Sequence, residues 1–160
     1  FILIILAIFS KFGYLIIFIL LGLINYLLLN YRNRVFLGDS GSIILSYMIS
    51  YFFIKSYNQE MNFYADQIFL MMMVPGIDLL RVASLRLLSG KNPLAADRIH
   101  LHHLLVNSFG VKKTVIIILV LITLPTLFSI FLNFTLPLII LVLIAYLILI
   151  FYISRKSSLN

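Results

Sequence analysis

Two apolar stretches near the C-terminus decide the fold class: TVIIILVLITLPTLFSIFL at residues 114–132 and LPLIILVLIAYLILIFYI at residues 136–153. Neither contains a charged residue, and an α-helix of about 20 such residues covers the roughly 30 Å hydrocarbon core of a bilayer. Residues 133–135 (NFT) and the following Pro137 favour a tight turn between them. The pair therefore predicts a helical membrane hairpin.

The composition of the whole chain agrees with a membrane protein. Of its 160 residues, 63% are hydrophobic and only 11% are charged, against about 25% charged in soluble domains. These values exclude a disordered chain and almost any water-soluble globule, and the absence of cysteine excludes a disulfide scaffold. The net charge of +7 would indicate nucleic-acid binding in a soluble protein, but basic residues also collect on the cytoplasmic side of membrane proteins. We expect membrane lipids, and no nucleic acid, as partners.

Further apolar runs extend the hairpin to an all-α, polytopic membrane protein. The run at 1–9 is too short to cross a bilayer and is interpreted as the tail of a cut helix. We therefore expect a single membrane domain over 1–160 that forms the C-terminal half of a longer protein. After the truncated first helix, about five full transmembrane helices are predicted, at residues 13–29, 42–54, 66–81 (shortened by Pro75), 114–132 and 136–153.

Basic residues predict the orientation. If the spans alternate, ten of the 12 lysines and arginines share one face: Arg32, Arg34, Arg81, Arg86, Lys91, Arg98, Lys112, Lys113, Arg155 and Lys156. Lys11 and Lys55 fall on the other face. The positive-inside rule then places the first face, together with the C-terminus, in the cytoplasm.

The predicted cytoplasmic loop, at about 83–113, is where chemistry in water is expected. Residues 89–93 (SGKNP) are typical of a turn. Residues 94–107 lack glycine and proline and favour a helix, which Gly110 can terminate.

The first candidate site is the segment at 36–42 (FLGDSGS). Gly38 and Gly41 bracket Asp39, and glycines let a backbone approach a ligand closely. A carboxylate beside the membrane suits Mg²⁺, which proteins usually hold with one or two carboxylates plus substrate phosphates. The structural alternative is that Asp39 or Ser40 caps a helix that begins near Gly41.

The second candidate is Pro75-Gly76-Ile77-Asp78, which Arg81 follows. An acid within or beside an apolar span is costly and by default indicates function. The alternative is an interfacial ion pair between Asp78 and Arg81 at positions i and i+3, with Pro75 as a helix break.

The third candidate is the DRIHLHH segment that begins at Asp97, because it holds all three histidines of the chain. On a helix, His100 and His103 would share a face, whereas His102 would point elsewhere, which weakens a zinc site. The other functional interpretation is an anion site in which the imidazoles and Arg98 donate hydrogen bonds to phosphate oxygens. The structural alternative is a solvated helix face with Asp97 as its N-cap.

The three candidates together favour phosphoryl transfer from a water-soluble substrate to a lipid acceptor, since such catalysis is positioning plus charge neutralisation. The alternatives are a small membrane transporter and a non-catalytic helix-packing membrane protein. A transporter needs polar residues near the middle of its spans, and these are few. Helix packing favours small-residue patterns such as G-x-x-x-G, which the chain lacks.

The ordered motifs resemble those of the polyprenyl-phosphate N-acetylhexosamine-1-phosphate transferases (glycosyltransferase family 4). Residues 35–42 are similar to the family's V-F-[ML]-G-D-x-G-S segment, and residues 75–81 to its P-x-x-D-x-x-R stretch. Residues 90–105 resemble its loop G-x-x-P-x-x-x-D-R-x-H-x-H-H-x-L. The H-x-H-H form is more similar to the WecA/TagO-like branch than to the related MraY-type enzymes, whose loop has three consecutive histidines.

The resemblance implies transfer of N-acetylhexosamine-1-phosphate from a UDP-sugar to undecaprenyl phosphate, with release of UMP, in synthesis of cell-wall or lipopolysaccharide glycans. It implies Mg²⁺ as cofactor, with Asp39 as its ligand. It also implies a multi-pass protein of the bacterial inner membrane with a cytoplasmic C-terminus, and a homodimer is compatible with it. Asp39 and His100 match catalytic positions, and the substrate-binding positions match Asp97, Arg98, His100, His102 and His103.

The chain also departs from the family. Two motifs that the family carries before its G-D-x-G segment, D-D-x-x-D and N-x-x-N-x-x-D-G, are absent. The resemblance thus covers nearly all of this chain but only about the C-terminal half of the family's length. The missing carboxylates are those thought to act on the lipid phosphate and complete the metal site, so we expect this chain alone to be inactive. Gly76 and Ile77 replace the usual bulkier pair.

Overall fold

The computed structural model describes residues 1–60, 63–92 and 99–157, which form helices joined by short connections and contain no β-strand. The helices are α1 (Ile2–Phe9), α2 (Gly13–Tyr31), α3 (Gly38–Glu60), α4 (Ala65–Leu88), α5 (Leu101–Phe109), α6 (Val111–Leu132) and α7 (Thr135–Ser157). The chain divides into two compact units, Phe1–Ala65 and Asp66–Asn160.

Four of these helices, α2, α4, α6 and α7, are long and apolar enough to cross a membrane. The prediction of an all-α, polytopic membrane protein is therefore confirmed. The span predicted at 42–54 lies within α3, which is a long helix but is not among the four. Its serines, its tyrosines and Lys55 lower its apolarity. Large side chains on the spans remain exposed, among them Phe18 and Phe151, as expected for surfaces that face lipid.

In the first unit, the short helix α1 turns back onto α2. The backbone N–H of Phe12 donates to the Ser10 hydroxyl at 3.1 Å, and that of Gly13 donates to the Ser10 carbonyl at 3.0 Å. A Cβ at residue 13 would collide with the Ala7 carbonyl oxygen, so only glycine fits there. The run at 1–9 thus forms a helix too short to span a bilayer, as predicted.

Aromatic side chains from α1, α3 and the segment after α3 pack against one another in this unit. Phe63 is buried, and its ring meets those of Phe9 and Phe53 edge-on at centroid distances of 5.9 and 6.3 Å. The Lys55 ammonium lies 3.7 Å from the centroid of the Phe12 ring, a cation–π contact between α3 and the α1–α2 connection.

In the second unit, α4 continues through Pro75 to Leu88, so the predicted shortening of this span at Pro75 is wrong. Proline removes one backbone donor, but transmembrane helices tolerate it where neighbouring helices support the chain. Here α4 buries Leu70, Met73 and Val74 in the core of the unit. It is also the most buried of the four spans, at 33% of its apolar window against 11–17% for the others.

The remainder of this core comes from α5 and α7. Helix α5 contributes Leu101 and Leu105, one turn apart, and α7 contributes Val142, Tyr146 and Ile153. The helix predicted over 94–107 begins at Leu101 and ends at Phe109, while residues 93–98 lie outside the described part.

Two predicted turns around α6 are confirmed. Gly110 ends α5 with φ +77°, a conformation that favours glycine. Asn133 turns the chain between α6 and α7 in the left-handed conformation, at φ 50°. These turns allow α5, α6 and α7 to pack against one another.

Candidate functional site

Asp78 on α4 is a buried carboxylate, with only 7% of the residue exposed. A charge in a membrane-spanning helix is unfavourable unless it is paired, and such residues usually mark a function. Hydrogen-bond donors from α4, from the start of α5 and from α7 reach its two oxygens. Asp78 is therefore the point at which three elements of the second unit meet.

Arg81, one turn further along α4, pairs with this carboxylate. Its Nη2 donates to Asp78 Oδ1 at 2.8 Å, which is the i, i+3 ion pair considered from the sequence. The same nitrogen donates to the carbonyl oxygen of Ile99 at 2.6 Å, and Nε donates to the Tyr146 hydroxyl oxygen at 2.8 Å. Arg81 thus connects α4 both to α7 and to the segment that precedes α5.

Tyr146 completes the network from α7. The residue is 1% exposed, and its hydroxyl donates to Asp78 Oδ1 at 2.9 Å. Among the described residues, every buried side-chain nitrogen or oxygen has a hydrogen-bond partner. A fully satisfied buried network is rigid, because breaking any contact leaves a polar group unpaired in a low dielectric.

Asp78 also caps α5. The backbone N–H of Leu101 donates to both Asp78 oxygens, at 3.1 and 3.0 Å, and the carboxylate faces the positive end of the helix dipole. His100 precedes the helix in an extended conformation, at φ −62° and ψ 149°, and its Nδ1 lies 2.9 Å from Asp78 Oδ2. The expectation that His100 and His103 share a helical face is wrong, because His100 lies outside the helix.

The three imidazoles form a row at the start of α5. The His100 and His102 rings are stacked with centroids 5.9 Å apart and an interplanar angle of 15°. The His102 and His103 rings are closer, at 4.2 Å and 38°. The predicted divergence of His102 and His103 is therefore not observed, and His102 lies between the other two.

The surroundings of His102 favour its neutral form. Partial burial lowers its pKa below the usual 6.5, and the neighbouring His103 and His100 lower the pKa further, while Asp78 acts in the opposite direction. A bound anion favours a protonated imidazole, so phosphate binding beside His102 would be linked to proton uptake.

A cavity of about 460 Å³ opens beside this row. His100 and His102 line it together with Asp78, whereas His103 does not. The other lining residues are apolar: Val74, Pro75, Leu79, Leu101, Ile118 and Ile122. An apolar cavity with a few convergent polar groups is the usual form of a small-molecule site.

Asp39 lies in the first unit, in the first turn of α3, which begins at Gly38 rather than near Gly41. Gly38 has φ +65°, which favours glycine, and Ser42 Oγ donates to the Gly38 carbonyl oxygen at 3.0 Å. The Asp39 residue is exposed, and the helix dipole favours a negative charge at this end.

The described part of the chain contains no group of three or more His, Cys, Asp or Glu side chains that could hold a metal ion. The zinc interpretation of the histidine segment therefore has no ligand set within those residues. Mg²⁺ requires fewer protein ligands, since substrate phosphates and water supply the others. The exposed carboxylate of Asp39 fits one such ligand.

Tyr146 does not stand out in the sequence, because it lies within an apolar run, although a tyrosine in the middle of a span carries a hydroxyl that needs a partner. For Asp78 the sequence allows a functional site or an ion pair, and the residue forms the ion pair within a larger network. Asp97 and Arg98 lie outside the described residues.

Comparison with known proteins gives one relevant relative. The chain is 28% identical over 99 residues to the undecaprenyl-phosphate alpha-N-acetylglucosaminyl 1-phosphate transferase of Haemophilus influenzae. The match covers 56% of this chain and 27% of that enzyme's length. No family model and no solved structure matches the chain.

Proposed function

We propose that this chain forms part of a membrane enzyme that transfers a sugar-1-phosphate from a UDP-sugar to a polyprenyl phosphate. The donor is a UDP-N-acetylhexosamine, the acceptor is undecaprenyl phosphate, and the reaction serves synthesis of cell-envelope glycans. The similarity to the Haemophilus influenzae transferase and the three ordered motifs support this assignment.

The observation that carries the proposal is the pair of imidazoles at the cavity. His100 and His102 line the same cavity, and Asp78 holds His100 through a 2.9 Å hydrogen bond. Imidazoles and guanidinium groups bind phosphate oxygens through charge-assisted hydrogen bonds. We assign His100, His102 and His103, with Asp97 and Arg98, to the UDP-sugar, and His100 to the reacting phosphate.

The reaction needs a site that brings two phosphates together. An oxygen of the polyprenyl phosphate attacks the β-phosphorus of the UDP-sugar, and the bond from that phosphorus to the bridging oxygen breaks, so UMP leaves. The product is a polyprenyl diphosphate sugar. Because charge builds on the phosphate oxygens, positioned donors such as His100 would accelerate this step.

Asp39 is the residue that we assign to Mg²⁺. When bound, the ion neutralises phosphate charge and orients the diphosphate for displacement. The exposed position of Asp39 at the start of α3 is compatible with a ligand shared with a soluble substrate.

The test measures UMP release in membranes that contain the protein expressed from its complete gene. We expect UMP from a UDP-N-acetylhexosamine only when undecaprenyl phosphate and Mg²⁺ are both present. Replacing His100 by alanine should reduce this release, whereas Asn107→Ala, a change at an exposed position of the helix that follows His100, should not. Release of UDP in place of UMP, or release without the lipid, would contradict the proposal.

The orientation belongs to the same proposal. We place the histidine segment and the C-terminus in the cytoplasm of a bacterium, at the inner membrane. This orientation requires that α3 also crosses the membrane, because only then do ten of the 12 basic residues sort to that face. Cysteines introduced at Ser89 and Ser157 should react with an impermeant reagent only from the cytoplasmic side, and one at Asn58 only from outside. Labelling of Ser89 and Asn58 positions from the same side would refute the arrangement.

A further inference from the structure

Tyr146 places a hydroxyl group in the buried core of the second unit, where it contacts both Arg81 and Asp78. Tyr146 is buried in the apolar core of the second unit, where a phenylalanine would fill the same ring space without a polar group to satisfy. Its oxygen accepts a hydrogen bond from Arg81 Nε at 2.8 Å, and its single proton goes to Asp78 Oδ1 at 2.9 Å. The hydroxyl thus holds the guanidinium and the carboxylate in one fixed arrangement.

The hydrogen-bond donors around Asp78 determine which ring nitrogen of His100 carries a proton. The Arg81 guanidinium and the Leu101 backbone N–H can only donate, and the Tyr146 hydroxyl donates its one proton to Oδ1. Asp78, in an ion pair with Arg81, is therefore an acceptor at each of these contacts. The remaining partner, His100 Nδ1 at 2.9 Å from Oδ2, must supply its own proton.

We propose that Asp78, Arg81 and Tyr146 are positioning residues that fix His100 as its Nδ1–H tautomer, so that Nε2 is the ring nitrogen that meets a phosphate group in the cavity. Nε2 carries a lone pair in the neutral ring, and a hydrogen bond from it to a phosphate oxygen requires the ring form with a proton on both nitrogens. The Nδ1–H bond to Asp78 persists in both states, so the ring does not turn. The identity of the phosphate ligand rests on the proposed function, but the tautomer does not.

Among the described residues, polar groups from α4, α5 and α7 surround His100. Asp78 and Arg81 face it from α4, Tyr146 acts through both of them from α7, and His102 stacks on its ring from α5. The side chain that orients Nδ1 is Asp78, since it is the one that contacts this nitrogen directly. Substitutions should therefore affect the tautomer in the order Asp78 first and Tyr146 second.

Nitrogen NMR of isotope-labelled histidine tests the tautomer directly, because the chain has only three histidines. In detergent micelles at about pH 9, where an unperturbed imidazole is neutral, the signals are assigned by their loss in His102→Gln and His103→Gln. We expect His100 to show a protonated Nδ1 and an unprotonated Nε2. Asp78→Asn, which keeps the shape, should shift His100 towards the Nε2–H form that free histidine favours.

Tyr146→Phe provides the milder variant, since it keeps the ring in the core. It should shift part of the His100 population to the Nε2–H form. In the protein expressed from its complete gene, it should lower kcat/KM for the UDP-sugar by about 3- to 10-fold, the effect of one hydrogen bond. Tyr152→Phe, an exposed tyrosine on the same helix, is the matched control and should change neither.

A wild-type His100 in the Nε2–H form, or a tautomer that is unchanged in both Asp78→Asn and Tyr146→Phe, would overturn the inference. Should Asp78→Asn fail to fold, the Tyr146→Phe spectrum decides alone. An Nδ1–H tautomer in this chain, with no UMP released by the protein expressed from its complete gene, would leave this inference standing and refute the proposed function.

Discussion

Asp39 and Asp78 are both acids on membrane-associated helices, yet they differ in burial and in hydrogen bonding. Asp39 is exposed in the first turn of α3, whereas Asp78 is buried within α4 and receives hydrogen bonds from Arg81, Leu101 and Tyr146. An exposed carboxylate can exchange water for a metal ion at little cost. A buried carboxylate with all its acceptor positions used can only hold other groups in place.

The difference separates two kinds of effect. Loss of the Asp39 charge should affect activity without affecting the fold, since few contacts depend on it. Loss of the Asp78 charge should affect the fold first, because Arg81 would remain buried without its partner and α5 would lose its cap.

The largest effect is expected for Asp78→Ala. Removing one partner of a buried ion pair typically costs about 3–5 kcal/mol, because the other charge is left uncompensated. The free energy of unfolding in mixed micelles should fall by roughly that amount. Asp66→Ala, an exposed acid at the start of the same helix, is the control and should change it by less than about 1 kcal/mol. An equal loss of unfolding free energy in Asp78→Ala and Asp66→Ala would contradict the special role of the buried ion pair.

Asp39→Asn should reduce activity strongly and leave the free energy of unfolding almost unchanged. The substitution keeps the shape but removes the charge that Mg²⁺ requires, so transferase activity should fall at least about 100-fold. The free energy of unfolding should stay within about 0.5 kcal/mol of wild type. The neighbouring Ser40→Ala serves as control. Near-normal turnover of the asparagine variant at saturating Mg²⁺ would leave Asp39 as a helix-start residue only.

The three histidines should differ in how much their substitution weakens UDP-sugar use, because only two of them line the cavity. His100→Ala and His102→Ala each remove a side chain that lines the cavity, and each should weaken UDP-sugar use by about 10- to 150-fold, as expected for a lost charge-assisted hydrogen bond. His103→Ala should have a smaller effect, because His103 does not line the cavity. Kinetics against UDP-sugar concentration measure the loss for each variant, and a zinc assay on the same samples tests whether the histidines hold a metal. Stoichiometric zinc that is lost together with activity would favour a metal site instead.

The smallest effect concerns pH. The folded pKa of His102 lies below 6.5, so the unfolded chain binds the proton first as the pH falls through 6.5. His102 therefore contributes a small loss of stability between pH 6.5 and its folded pKa, and none well above 6.5. Thermal unfolding at several pH values, compared between wild type and His102→Gln, isolates this contribution. A wild type that gains stability over the variant on acidification would reverse the sign.

Helix positions followed from the sequence because they depend on local composition. The apolar runs at 114–132 and 136–153, the turn at Asn133 and the break at Gly110 all appear close to where the pattern predicts them. Two local expectations failed. Helix α4 continues through Pro75 because it packs against its neighbours, which the local pattern does not show. Helix α3 is long, but its own serines and tyrosines make it less apolar than the predicted span.

The Asp78 network did not follow from the sequence, because its partners are distant along the chain. Tyr146 lies 68 positions from Asp78, and no spacing rule connects them until the helices pack. The predicted histidine face failed for a similar reason. Helix spacing applies only inside a helix, and the cap that Asp78 gives to Leu101 starts α5 one residue after His100.

If the histidine site acts in transfer of a sugar together with its phosphate, a double-labelled UDP-sugar should deliver both to the lipid. One radioisotope is placed in the β-phosphate and another in the sugar, and both are counted in the lipid extract after reaction with undecaprenyl phosphate. We predict that both labels enter the lipid in equal amounts and that His100→Ala lowers both equally. Entry of the sugar label without the phosphate label, or of neither, would contradict the account.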